Sequence, residues 1–285
     1  MLAVDVALRL GCDVISADSR QIYRDIPIVS AAPTEREMRG VRHHFVGILG
    51  LEEYYSAARF EADVMGLLPG LFEKSGGYAV MCGGSMMYVD AVTDGIDDLP
   101  DISAGVRNYV GRLLREQGAE ALFAQLEVLD PEYAGLVDRM NVKRVAHAVE
   151  VSLQAGKPYS ELRVGERKKR PFRIMKFAID MPRAELFDRI NRRVGQMVEQ
   201  GLVEEARRLY PFRHLNSLNT VGLKELFSHF DGTLDLQTAL ERIGKNTRVY
   251  AKKQLTWLGR PSVRPAQMIM PEGAVETILS KLKND

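Results

Sequence analysis

Cysteine is scarce. Cys12 and Cys82 are the only two, they stand far apart in apolar surroundings, and they can build neither a disulfide framework nor a zinc site. Both are expected as ordinary buried thiols. No apolar run approaches the roughly 18 residues that a membrane span needs. The start MLAVDVALRLG has no basic stretch or cleavage site, so neither an anchor nor a secretory leader is expected and the cytoplasm is the expected compartment. Net charge is nearly absent as well: 39 Lys and Arg against 38 Asp and Glu leave +1. Nucleic-acid binding therefore cannot be argued from the total and would need local clusters of basic residues. Repeats and low-complexity segments are missing too. What is present, 46% hydrophobic and 27% charged residues over 285 positions, suits a globular chain of one large or two modest domains.

Leu2, Val6, Leu8 and Leu10 have the spacing of an amphipathic helix closed by Gly11. Asp13–Ala17 follows as a short buried strand, and helix then strand is half of a βαβ unit. Further strands are expected at His44–Leu49, Tyr78–Cys82 and Ile174–Asp180, with helices over Ser56–Lys74 and from Met86 onward. This alternation predicts an α/β fold with a parallel, doubly wound sheet. Between a Pro/Asp-rich turn at Asp97–Asp101 and a basic loop at Arg167–Pro171 the pattern is helical only. Residues 97–171 are therefore read as an inserted all-α domain, and residues 1–96 with 172–285 as the α/β core carrying C-terminal helices. Long helices are expected at Arg183–Tyr210 and Leu234–Leu258.

Four stretches could carry chemistry. Ser16–Tyr23 (SADSRQIY) follows the first strand, where doubly wound sheets place ligands. Asp18 there could accept a proton or hold Mg²⁺ through water, or could simply cap a turn; spacing alone leaves both readings open. Cys82–Tyr88 repeats the pattern, with Gly83 and Gly84 letting a ligand approach the backbone ahead of a helix N-terminus. Lys143, Arg144 and His147 share one face of a helix whose other face carries Val142, Val145, Val149 and Leu153. No second ligand stands at metal spacing around His147, and no metal-binding side chain is assigned. Arg189, Arg192 and Arg193 crowd one turn, suited to an anion or to solvent. On Leu236–Leu258 a basic stripe of Lys245, Arg248 and Lys252 flanks an apolar one, in which Thr247 and Gln254 need partners.

In order along the chain, SADSRQIY (16–23), AAPT (31–34), YSAARFEAD (55–63), GGSMMY (83–88), KRVAHAVEV (143–151), MVEQGLVEE (197–205), NTVGLKE (219–225) and TRVYAKKQLTW (247–257) resemble the bacterial tRNA dimethylallyltransferases, also called tRNA isopentenyltransferases. The resemblance implies a P-loop NTPase-like core with an inserted helical domain that grips the tRNA anticodon stem-loop. It also implies transfer of a dimethylallyl group from dimethylallyl diphosphate, with Mg²⁺, to N6 of the adenosine next to the anticodon (position 37). Asp18 then matches the general base and Arg193 the arginine acting on the diphosphate. Asp18, Ser19, Arg20 and Gln21 match one tRNA-contacting stretch. Lys143, Arg144, Val145, Ala146 and His147 match a second, and Asn219, Thr220, Val221, Gly222, Leu223 and Lys224 a third. Ser85 and Arg107 match single tRNA contacts, and Gly83, Gly84, Arg248 and Lys252 mark a substrate or phosphate region. A monomer without membrane contact is implied.

The family pattern opens with a strand and a phosphate loop, G-P-T-x-x-G-K-[ST], and Met1 falls just after the place of its last hydroxyl. On this reading the first strand and the P-loop are missing, and the chain as written is expected to bind the diphosphate poorly and to be unstable or inactive. IVSAAP also replaces the commoner IGTAKP, and VGLKE lacks an aromatic after its glycine. Two alternatives follow: a non-catalytic RNA-binding remnant, and an adenylate isopentenyltransferase acting on free AMP, ADP or ATP. The inserted helical block argues against free nucleotides.

Overall fold

A computed structural model describes residues 2–260 and 266–284. Its first stretch runs α1 (Leu2–Leu10), β1 (Val14–Ser16), α2 (Glu35–Met38), β2 (His43–His44), α3 (Ala57–Ser75), β3 (Val80–Cys82) and α4 (Met86–Thr93). α1 closes at Gly11, whose φ of 62° is the left-handed conformation glycine adopts at no steric cost. Val4, Val6 and Ala7 form its packed face, whereas Leu8, expected there, is exposed. β1 is buried along its whole length. It sits between β2 and β3 in a parallel sheet of order β2-β1-β3, with Val14 opposite both His43 and Val80.

The strand expected over His44–Leu49 is shorter than its sequence suggests. Phe45 and Gly47 adopt φ of 64° and 62°, which ends extended pairing after two residues. A single parallel bridge between Leu49 and Tyr23 resumes it. Cys82, expected buried, is exposed at the end of β3; Cys12 is buried as expected.

Next come α5 (Ala104–Leu129), α6 (Pro131–Leu136), α7 (Val142–Ala155) and α8 (Tyr159–Leu162). Gly118, at φ 84°, interrupts α5 and makes it two helices in line. Leu122, Leu126, Val145, Ala148 and Val149 are the centre of this block's own core. Asp130 is fully buried and fully used. It accepts hydrogen bonds from the Tyr133 N–H (2.9 Å), the Ser160 N–H (2.6 Å) and the Ser160 hydroxyl (2.8 Å), so one carboxylate caps α6 and ties down α8.

The chain then forms β4 (Phe177–Ile179), α9 (Arg183–Glu199), α10 (Leu202–Leu209), α11 (Leu223–Phe230), α12 (Leu236–Leu258), β5 (Gln267–Ile269) and α13 (Ala274–Asn284). The single helix expected over Arg183–Tyr210 is broken at Gly201 (φ 97°). A sequence signal existed there, but the apolar spacing runs through it. β4 and β5 form a second parallel ladder, Phe177 opposite Gln267. The one sheet expected is thus two among the described residues, of three and two strands.

Two compact units result: Met1–Asp94 with Arg170–Asp285, and Gly95–Lys169. The second boundary falls at Arg170 for a visible reason. Its guanidinium is buried against Glu61 (2.6 Å) and donates to the carbonyls of Val92 (2.9 Å) and Ala91 (2.6 Å). Such a charge is costly to bury without these partners. In the same unit Phe60 of α3 is fully buried, stacked on Tyr88 of α4 with ring centroids 4.4 Å apart. That burial is worth about 2–3 kcal/mol. No helix among the described residues is long and apolar enough to cross a membrane.

Candidate active site

Two strand ends build the site. Beyond β1, Ala17 donates its N–H to the Cys82 carbonyl (2.9 Å), and its own carbonyl accepts from the Ser85 N–H (3.1 Å). A Cβ at Gly83 would collide with the Ala17 backbone, so only glycine lets the two loops close. Ser85 completes the closure: its Oγ accepts from the Ser19 N–H (2.8 Å) and donates to Ser19 Oγ (3.1 Å). Ser85, expected to contact RNA, is buried and holds Ser19.

Asp18 is half-buried at the head of this turn. Its Oδ1 accepts from the N–H groups of Arg20 (2.8 Å) and Gln21 (3.3 Å). The turn-capping reading is thus correct for one oxygen, and Oδ2 has no hydrogen-bond partner among the described residues. The carboxylate lies close to two phenols. After desolvation by the surrounding protein, nearly complete around Tyr88 and partial around Tyr250, its negative charge helps push both above the ordinary tyrosine range.

The rest of SADSRQIY faces inward. Gln21 accepts the Ser16 hydroxyl (3.0 Å) and donates to the carbonyls of Ser30 (3.3 Å) and Ala31 (3.1 Å). Its amide is committed to the loop and is not displayed. The Arg20 guanidinium donates to the carbonyls of Asn216 (3.0 Å) and Ser217 (2.8 Å), joining the turn to the segment just before Asn219–Lys224. In that segment Asn219, Thr220 and Val221 are partly exposed and Lys224 is exposed, while Gly222 and Leu223 are buried. Leu223, fully buried in the first turn of α11, cannot offer its side chain to RNA. Gly222 has φ 101°, and its N–H donates to the buried Glu225 (2.8 Å), which also accepts from Asn246 of α12 (2.6 Å).

α12 reaches the same place. Gln254 Nε2 (2.9 Å) and the Tyr250 hydroxyl (3.2 Å) both donate to the Gly84 carbonyl. The polar positions in the apolar stripe thereby find partners: Gln254 across the site, and Thr247 on the Ile243 carbonyl one turn back (2.8 Å). The stripe itself is narrower than expected, since Leu236 and Tyr250 are exposed and Ala239, Ile243, Gly244 and Trp257 carry the packing. Arg248 donates to Asn191 of α9 (2.7 Å), whereas Lys252 is exposed. Beyond β4, a groove of about 260 Å³ is lined by Ile179, Met181, Leu186, Ile190, Leu255 and the two arginines Arg189 and Arg193. The Glu37 carboxyl is held below its usual range mainly by its hydrogen bonds to Thr34, and Arg193 lies near enough to the AAPT loop for its charge to add a little.

Mg²⁺ was expected. Among the described residues no three His, Cys, Asp or Glu side chains are grouped to hold a metal, and one oxygen of Asp18 is already committed.

In the helical unit, Lys143, Arg144 and His147 are exposed on α7 and Ala146 is partly so, while Val145 is 1% exposed. Val145 packs where a helix must place one residue in three or four, so its side chain faces the core. Arg107, in the first turn of α5, donates to the Ile102 carbonyl (3.3 Å). Partial desolvation by the protein on its inner side, and then the Arg107 charge, push His147 below the ordinary histidine range.

Sequence reasoning missed Tyr250, Glu205 and Glu225. A signal existed for Glu205: it lies on the apolar stripe of LVEEARRL, between Leu202 and Leu209.

The profile of the IPP transferase family matches residues 21–261 of the chain. A protein of Parabacteroides distasonis named tRNA dimethylallyltransferase 2 is 52% identical over 91% of the chain and 86% of its own length. One of Porphyromonas gingivalis with the same name is 48% identical over 98% of the chain and 92% of its own length. Among solved structures, the full-length tRNA isopentenylpyrophosphate transferase of Bacillus halodurans superposes with a TM-score of 0.70. It shares 32% identity, over 99% of this chain and 91% of that one.

Proposed function

The chain belongs to the IPP transferase family, and on that premise we propose that it transfers a dimethylallyl group from dimethylallyl diphosphate to N6 of adenosine 37, beside the anticodon of tRNA. The observation that carries this reading is the convergence at Asp18. The 16–23 turn, the Gly83–Ser85 loop and the segment leading to Asn219–Lys224 are hydrogen-bonded into one structure around it. On the same reading the core is of the P-loop NTPase type, and the helical unit grips the anticodon stem-loop. The protein works as a cytoplasmic monomer.

Each residue has a distinct task. An aryl amine is a poor nucleophile, so a positioned base speeds its attack. Asp18 is fixed through Oδ1, and Oδ2 takes the N6 proton. The N6 lone pair forms the new bond to C1 of the dimethylallyl group as the C1–O bond breaks, and diphosphate leaves with that electron pair. Arg193, with Arg189 beside it in an otherwise apolar groove, stabilises the departing charge while the apolar walls suit the five-carbon tail. Magnesium would arrive on the diphosphate, and no step here depends on it. The adenine must leave its stack to reach Oδ2.

The test is single-turnover transfer of labelled dimethylallyl to an anticodon stem-loop. Asp18→Ala should slow it by roughly 10²–10⁴-fold, the usual contribution of a general base. A rate near that of the unaltered protein would refute the assignment. AMP run in place of the stem-loop should give no product.

A further inference from the structure

Glu205 is a carboxylate with no exposed surface, set in the middle of α10. Both its oxygens face the backbone of a distant loop: Oε2 accepts from the Ile28 N–H (3.0 Å) and Oε1 from the Val29 N–H (2.8 Å). Burial pushes this carboxyl above the usual range, and those two N–H bonds work against that rise. Loops seldom hold their shape through a buried charge, since desolvating it is costly and only good partners compensate. The loop it grips is itself tight: Ser30 N–H bonds to Ile26, Ala31 N–H to Ile28 and Ala32 N–H to Pro27. Ala31 has a φ of 49°.

The far side of this loop faces the candidate base. The carbonyls of Ser30 and Ala31 receive Gln21 Nε2, and the Gln21 N–H is one of the two that fix Asp18 Oδ1. Val29 also fills the space that a side chain at Gly222 would occupy, so the loop meets the 219–224 segment as well. A continuous path therefore runs from Glu205 through Ile28–Ala31 and Gln21 to Asp18. We propose that Glu205 is a positioning residue for Asp18, acting through the 28–31 loop without touching either substrate. The proposal rests on the reading of Asp18 as the base.

Glu205→Gln tests it. A carboxamide has one acceptor oxygen for two N–H donors, and its own NH₂ faces the other donor, so the loop must shift. Leaving a buried N–H opposed to that NH₂ costs stability, so a thermal melt is run beside the exchange measurement. Hydrogen exchange on the full-length chain should show faster exchange at Ile28 and Val29 that extends to Ser19–Gln21, with α12 and the helical unit unchanged. Transfer kcat should fall on the order of 10- to 100-fold, as for reacting groups displaced by about 1 Å, with KM for dimethylallyl diphosphate unchanged. Glu205→Asp, which keeps two acceptors, should recover part of both. Faster exchange confined to Ile28 and Val29, or spread evenly over the chain, would overturn the proposal. So would an unchanged kcat in a variant whose Ser19–Gln21 exchange has risen. If the unaltered protein transfers no prenyl group, the functional reading fails instead, and the exchange pattern alone judges the path from Glu205 to the turn.

Discussion

Side chains of the same kinds behave differently on the turn after β1 and on α7. Arg20 and Gln21 after β1, with Ser85 after β3, all point into the protein and bond to backbone groups. On α7, Lys143 and Arg144 stand exposed while the adjacent Val145 is buried toward the core. Both stretches are proposed to contact tRNA, yet only the second displays its charges. The contrast teaches that a polar residue in a binding motif can serve by shaping backbone as well as by touching ligand. Around Asp18 precision matters, because proton transfer depends on distance. On the proposed RNA face of α7 charge would matter more, because phosphate attraction is sequence-independent and electrostatic.

The largest effect should come from breaking the rigid side of this contrast. Gly83→Ala forces a Cβ into the Ala17 backbone, and backbone cannot swing aside as a side chain can. A cost of about 3 kcal/mol is expected for such overpacking. That corresponds to a fall in Tm on the order of 10 °C in a thermal melt. Gly84→Ala, which meets only the movable Gln254 amide, should cost clearly less. Equal melting temperatures for the two variants would mean that the loops are not zipped as described.

The same contrast explains what could be read from the sequence. β1 and β3 were legible because a buried parallel strand is a short apolar run, and Asp18 because it sits at the end of one. β2 was overextended because HFVGIL has strand composition, while its break lies in the backbone angles of Phe45 and Gly47. The split between α9 and α10 was hidden because Val198 and Leu202 keep helical spacing across Gly201. β5 has only three residues and leaves no periodic trace. Within the site, carrying a motif over as a continuous block assigned Val145 and Leu223 to RNA. Helical periodicity turns residues such as these toward the core. Glu205 and Glu225 escaped because nothing local says which distant N–H a buried carboxylate will meet.

On the displayed side, Lys143→Ala and Arg144→Ala should leave stability within about 0.5 kcal/mol, as exposed substitutions do. Each should weaken stem-loop binding and lower the salt dependence of log Kd by about one ion if the residue contacts a phosphate. Binding measured from low to moderate salt checks both. An unchanged salt slope in the double variant would remove α7 from the RNA surface and leave the contrast without its second half.

The smallest effect sharpens the contrast at His147, which shares the exposed face but is held below the ordinary histidine range by partial desolvation on its inner side and by Arg107. It also meets the edge of the Tyr159 ring, centroids 5.8 Å apart. The sign follows from which state binds the proton. An unfolded histidine titrates near 6.5, and the folded one below that. As pH falls through about 6.5 the unfolded chain takes up a proton that the folded helical unit refuses, so stability drops. The drop ceases to grow below the folded value, and above 6.5 the contribution is constant. Arg107→Gln should raise the His147 value, followed by NMR titration of its ring proton, and should flatten this part of the stability curve. At neutral pH the neutral ring can offer RNA a hydrogen bond but no charge, so the charge on this face of α7 rests on Lys143 and Arg144. His147→Gln should therefore leave the salt slope of binding unchanged where Lys143→Ala lowers it. A slope that fell for both would show that RNA recharges the ring on binding.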